Sequence, residues 1–206
     1  MLKKNIETFL GCDREYDEAK IVLFGAPFDS TTSYRPGTRF ASRTMRAESY
    51  GLETFSPYLD LDLEDAYGSV ENALKDIEDF TRQIVNDGKI PLMIGGEHLV
   101  TLGSVRAVTE KYDDLHIIHF DAHADLRDDY LGAKLSHATV LHRVWDIVGD
   151  NKIYQFCIRS GERAEFAWGK EHVQTRRFDF VSLEDVVEKL KGKPFCFKVD
   201  LDVLDA

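Results

Sequence analysis

The chain has 206 residues, with 37 acidic against 26 basic side chains and a formal net charge of −11 when histidines are neutral. That length suggests one domain, large enough to bury a core without covalent staples. A hydrophobic content of 43% suits a soluble globular protein, and the acidic balance argues against a binder of nucleic-acid backbone.

Taken in chain order, IVLFGA at 21–26 is a continuous apolar run of the kind found in a strand buried on both faces. The turn-rich segment after it carries Arg35, Arg39, Arg43 and Arg46, and Ser42 is placed to cap a helix over 41–51. Residues 55–68 are polar and irregular, and no strand is expected there. From 69 to 86, Val70, Ala73, Leu74, Ile77, Phe80, Ile84 and Val85 recur on one helical face, with Ser69 as cap and Gly88 as stop. KIPLMIGG at 89–96 reads as a second buried strand, followed by a helix from His98 to Tyr112. LHIIHFDAHAD at 115–125 reads as a third strand. A helix over 136–148, a strand over 152–159, a helix over 182–191 and a last strand, PFCFKVDLDVLDA at 194–206, complete the series.

Strands alternating with helices predict an α/β fold. The expected architecture is three-layer α/β/α with a mostly parallel sheet, built as a single domain over 1–206. Cys12, Cys157 and Cys196 are far apart and make no CxxC pair, so they read as reduced, buried thiols. The N-terminus has no apolar signal core, and no stretch approaches the roughly 20 apolar residues of a membrane span. A cytoplasmic location, with neither membrane nor nucleic-acid partner, is the expectation.

Three strands end in ionisable residues, and ligands of parallel sheets bind beyond the carboxyl ends of strands. The ends read Gly95-Gly96-Glu97-His98, Asp121-Ala122-His123-Ala124-Asp125 and Asp200-Leu201-Asp202. On an extended chain, residues two apart point the same way, so Asp121, His123 and Asp125 would share one face, as would Asp200 and Asp202. Carboxylates crowded on one rim repel unless a cation separates them. Four carboxylates and two imidazoles suffice for two divalent ions, and oxygen–nitrogen ligation without thiolate suits manganese, or other borderline first-row ions, better than structural zinc. A lone DxH or DxD is ordinarily a solvated loop; the conjunction at three strand ends is what carries the reading. His116 and His119 lie inside their strand and read as core or supporting residues. His142 and His172 have no supporting neighbours in the sequence. The acidic runs at 62–65 and 127–129 read as solvated.

GGEHLVTLG at 95–103, HFDAHADLR at 119–127, SHATVLHR at 136–143 and VDLDVLD at 199–205 resemble, in order and spacing, the signatures of the arginase/agmatinase (ureohydrolase) family. GAPFDSTTSYRPGTRFAS at 25–42 resembles the agmatinase branch in particular. The resemblance implies an arginase-like fold and a dimanganese site. His98, Asp121, Asp125 and Asp200 match the ligands of one ion. His123, Asp121, Asp200 and Asp202 match those of the other, with Asp121 and Asp200 bridging. It also implies that His137 moves protons; because the leaving amine must be protonated, Asp125 reads as a local proton carrier. The implied reaction is hydrolysis of a guanidino compound, agmatine giving urea and putrescine. A sister activity on another guanidino or formimino substrate, and a truncated inactive paralogue that binds only metal or partner subunits, are the alternatives. Family members commonly form trimers or hexamers, so a homo-oligomer is expected.

The chain departs from the family pattern at three places. It stops at Ala206, before a further strand and helices that the family carries. The internal strand between the regions matching 55–68 and 69–86 is expected to be missing, so the fold is expected to be incomplete. Lys198 and Ala206 occupy positions usually held by serine or threonine and by proline, and the Lys198 ammonium is placed to pair with a ligand carboxylate and compete with a metal.

Overall fold

A computed structural model of the protein describes residues 5–50, 59–62 and 69–204. The chain divides into two compact units, Met1–Ala107 and Val108–Ala206. The α/β architecture with parallel pairing is as expected; among the described residues every strand pairing is parallel and the strands group into two sheets.

In the first unit, β1 (Ile21–Ala26) is central, flanked by β2 (Leu59–Asp62) and β3 (Ile90–Gly95). β2 corrects the expectation that no internal strand is present: Leu59 to Asp62 pair in register with Val22 to Gly25. The alternating LDLD lettering has the period of a strand, yet four residues are too few to stand out beside acidic neighbours. The flanking 51–58 and 63–68 lie outside the described residues. β3 is also corrected. It forms the edge of its sheet, and Ile90 and Leu92 are exposed.

α1 (Ala41–Ser49) and α2 (Val70–Asn86) pack on this sheet. Ser42 does not cap α1; the N-cap is Phe40, and Ser42 is buried within the helix. Arg46 is also buried there. α2 follows its apolar pattern, burying Ala73, Leu74, Ile77, Ile84 and Val85, with each large aliphatic side chain worth roughly 1.5–3 kcal/mol. The Ser69 side chain accepts from the Asn72 amide, and Gly88 takes a φ of 75° that suits a residue without Cβ. α3 (Val100–Thr109) is shorter at both ends than the expected helix.

The second unit orders its strands β6-β5-β4-β7, with β4 (His116–Phe120), β5 (Ile153–Ile158), β6 (Gln174–Arg177) and β7 (Phe195–Val199). β5 is buried along its whole length. α4 (Val140–Val148) buries Val140, Leu141, Val144 and Val148. α6 (Leu183–Lys189) contributes Val186 to a core of Ile118, Tyr154, Phe156 and Leu190. α5 (Arg163–His172) and β6 fill a stretch without any element in the sequence reading. His142 and His172 do have neighbours: their rings stack on Trp168 at 4.3 and 4.4 Å. Cys12 and Cys157 are buried as expected, and Cys196 is partly exposed.

Candidate metal centre

In the first unit, the rim beyond β1 and β3 is held by two buried carboxylates. Asp29 accepts from the amides of Gly37 (2.6 Å) and Arg39 (3.2 Å) and from Arg39 Nη1 (2.8 Å). Burial pushes Asp29 up, but these donors outweigh it and hold the carboxyl below the usual carboxylate range. Glu97 accepts from the Thr31 amide at 2.8 Å and from its hydroxyl. The backbone closes the same loop: the Gly96 amide donates to Ala26 O and the Glu97 amide to Phe28 O, both at 2.7 Å. Gly96 is obligatory, because a Cβ there would lie 1.9 Å from Phe28 O. His98 follows directly and is buried at the end of β3.

In the second unit, β4 stops at Phe120, and the residues of interest lie past its end. Asp121 is 1% exposed, while His123 is exposed. Asp125 takes a φ of 51°, so the expected extended geometry from 121 to 125 is broken by a left-handed residue. β7 likewise ends at Val199, and Leu201–Leu204 form a 3-10 turn. Asp200 and Asp202 are therefore not successive residues of a strand face. The turn carries Asp202 inward by another route. Its Oδ1 accepts from the Ala122 amide at 3.0 Å, and its Oδ2 lies 2.8 Å from His123 Nδ1. The Asp200 amide donates to Phe120 O at 2.8 Å, which docks the turn on the end of β4.

One consequence is a three-residue cluster. Ligand-type atoms of Asp121, His123 and Asp202 all lie within 4.8 Å of one another. Asp121 Oδ1 accepts from the His123 amide at 2.6 Å. Asp200 joins through its Oδ1, which accepts from the Asp202 amide at 3.2 Å. Lys198 lies where the sequence placed it, with Nζ 3.5 Å from Asp200 Oδ2.

Charge in this cluster is unbalanced. Hydrogen bonds to Asp121 and then Asp202 push His123 up to about 10. Burial, and then the Asp121 charge, push Asp125 up. Both shifts bring extra protons to a carboxylate-rich rim, which is the service a divalent cation would perform. The oxygen and nitrogen donors fit such an ion, and no thiolate is among them.

His137 begins a one-turn helix preceding α4. Ser136 caps this turn, with its Oγ 3.3 Å from His137 Nδ1. The Tyr130 ring stands edge-on to the imidazole at 5.3 Å. His119, read from sequence as a core or supporting residue, and Gln155, read only as part of a strand, lie behind Asp121: His119 Nε2 is 2.9 Å from Asp121 Oδ2. The signal for His119 was an imidazole two residues from a carboxylate on a buried strand. Gln155 gave no comparable signal beyond being the one polar letter in an apolar run.

A family model described as the Arginase family matches residues 19–206. The agmatinase of Bacillus subtilis is 42% identical, over 97% of this chain and 73% of its own length. A crystal structure from Clostridium difficile, provisionally named an agmatinase, superposes with a TM-score of 0.89 and 52% identity, covering 93% of this chain and 74% of that one. The agmatine ureohydrolase of Thermoplasma volcanium gives a TM-score of 0.85 and 33% identity, covering 96% and 72%.

Proposed function

The chain belongs to the arginase family and is a metal-dependent hydrolase of the ureohydrolase type, and from that premise we propose that it hydrolyses a guanidino compound, agmatine first, to urea and an amine. The observation that carries this reading is the convergence of Asp121, His123 and Asp202 within 4.8 Å. Asp125 and Asp200 complete the proposed ligands of the second unit. His98 is placed in the proposed set by the family motif. Two manganese ions are the proposed occupants. Bound there, they would supply Lewis-acid activation of water, which hydrolysis of a guanidinium at neutral pH needs.

The chain's own residues do the rest. Asp121 and Asp202 orient His123, one through its backbone amide and the other through Nδ1. Asp125, with its affinity for a proton raised by burial and by Asp121, carries a proton to the departing amine nitrogen. The tetrahedral adduct collapses only once that nitrogen is protonated. His137 is half-buried and exchanges the proton with solvent. Lys198 holds Asp200 from the side and lowers the repulsion among the carboxylates.

The test is urea release by the manganese-loaded protein over agmatine, guanidinobutyrate and formiminoglutamate, with metal content measured in parallel. Release from agmatine, abolished in Asp121→Ala, is the expected result. Release only from another substrate overturns the agmatine assignment, and two bound ions without turnover on any overturns the activity. His137→Ala should lower turnover by about 10²–10⁴-fold with metal content unchanged. Loss of metal in that variant would remove His137 from the proton path.

A further inference from the structure

Behind Asp121 runs a buried polar ladder to which the proposed ligand and proton-transfer roles assign no task. His119 on β4, Gln155 on β5 and Thr175 on β6 are register partners across three adjacent parallel strands. His119 and Gln155 are 0% exposed. A glutamine in the centre of a wholly buried strand is costly unless every polar atom is satisfied.

Its partners fix the amide's orientation. Gln155 Nε2 lies 2.8 Å from Ala124 O, a carbonyl that can only accept, and Thr175 Oγ1 donates to Gln155 Oε1 at 2.9 Å. Turning the amide over would set two carbonyl oxygens against each other. The same Nε2 lies 3.2 Å from His119 Nδ1. A donor facing Nδ1 makes that nitrogen the acceptor, so the ring proton sits on Nε2. Nε2 is 2.9 Å from Asp121 Oδ2 and therefore donates to the carboxylate.

We propose that Thr175, Gln155 and His119 form a positioning relay that fixes the rotation of the Asp121 carboxylate, binding Oδ2 from behind and presenting Oδ1 to His123 and Asp202. The relay rests on the reading of Asp121 as a metal ligand. It acts through hydrogen-bond geometry: each member locks the next, from the Thr175 hydroxyl to the carboxylate. Outer partners that orient metal ligands typically change metal affinity by about 10–100-fold when removed.

The experiment compares wild type with Gln155→Leu, Thr175→Val and Thr175→Ser. It reads the ¹⁵N shifts of His119 in metal-free protein, Mn2+ affinity by chelator competition, and far-UV circular dichroism. The wild type should show the Nε2–H tautomer. Gln155→Leu should lose that single tautomer and bind Mn2+ about 10–100-fold more weakly, with secondary structure retained. Thr175→Val should fall between, and Thr175→Ser, which keeps the hydroxyl, should match wild type. An Nδ1–H tautomer in the wild type, or wild-type Mn2+ affinity in Gln155→Leu, overturns the relay. If Gln155→Leu does not fold, equal tautomers and equal affinities in the two Thr175 variants overturn it. If wild type binds no Mn2+, the metal reading fails by itself, and the His119 tautomer and its loss in Thr175→Val still decide the relay.

Discussion

Asp29 is 4% exposed and is the acceptor for two backbone amides and a guanidinium on the loop after β1. Asp29→Ala leaves those donors without a buried acceptor, which should cost about 2–3 kcal/mol, read as a lower urea midpoint at unchanged m-value. Because its folded pKa is depressed, the contribution of Asp29 is present above the unfolded value and is lost as pH falls through the folded one. His116 works in the opposite sense. Burial pushes its imidazole down, ahead of the attraction of Asp114, 3.5 Å away, and the repulsion of Lys193. The folded state therefore disfavours the protonated ring. The unfolded chain protonates it near the ordinary value of about 6.5, so stability should decline as pH drops below that. His116→Phe should flatten this decline in urea titrations between about pH 6.5 and 5. An unchanged slope would place the proton uptake elsewhere.

At the scale of elements, α5 makes the sharpest case. Its fully buried residues are Gly169 and Glu165, beside half-buried Phe166 and Trp168, which are two apart and make no helical apolar row. Glu165 accepts from the Leu126 amide at 3.0 Å and the Glu162 amide at 2.6 Å, and so ties the start of α5 to the segment after Asp125. Glu165→Ala should cost about 2–3 kcal/mol in denaturant unfolding, with Glu165→Gln recovering part of it through Oε1. A loss below about 0.5 kcal/mol would show that the cap is redundant. The same chemistry explains why sequence reading passed over α5: hydrophobic periodicity cannot report a face made of a glycine and a buried glutamate. β6, with the letters QTRR, and β2, with LDLD, escaped for a related reason, being short and polar or acidic. β1, α2 and β5 were legible because their apolar spacing is set by burial. The site was legible in its residue types and less so in its geometry. Ligand-type residues were placed at strand ends, but Asp121, His123 and Asp202 come together past the ends of β4 and β7, with Asp202 on a 3-10 turn that an extended-strand argument does not contain.

At the scale of the whole molecule, among the described residues β3 ends one sheet and β7 ends the other, and both present apolar side chains. Ile90 and Leu92 are exposed on β3, and Phe195, Phe197 and Val199 on β7. An edge strand offers unpaired backbone donors and acceptors to another chain, and apolar side chains strengthen such pairing. The net charge of −11 opposes it, since like-charged molecules repel at low ionic strength. These two forces respond to salt differently. Raising ionic strength from about 0.01 M to 1 M shortens the screening length from about 30 Å to 3 Å and removes the repulsion, leaving the apolar edge attraction intact. Self-association measured by light scattering should therefore rise with salt. Phe195 is 54% exposed, and in Phe195→Lys the rise should be suppressed. That substitution also brings the net charge closer to zero, so a purely electrostatic account demands the reverse outcome. Association that falls with salt, or that grows in Phe195→Lys, would locate the contact away from the β7 edge.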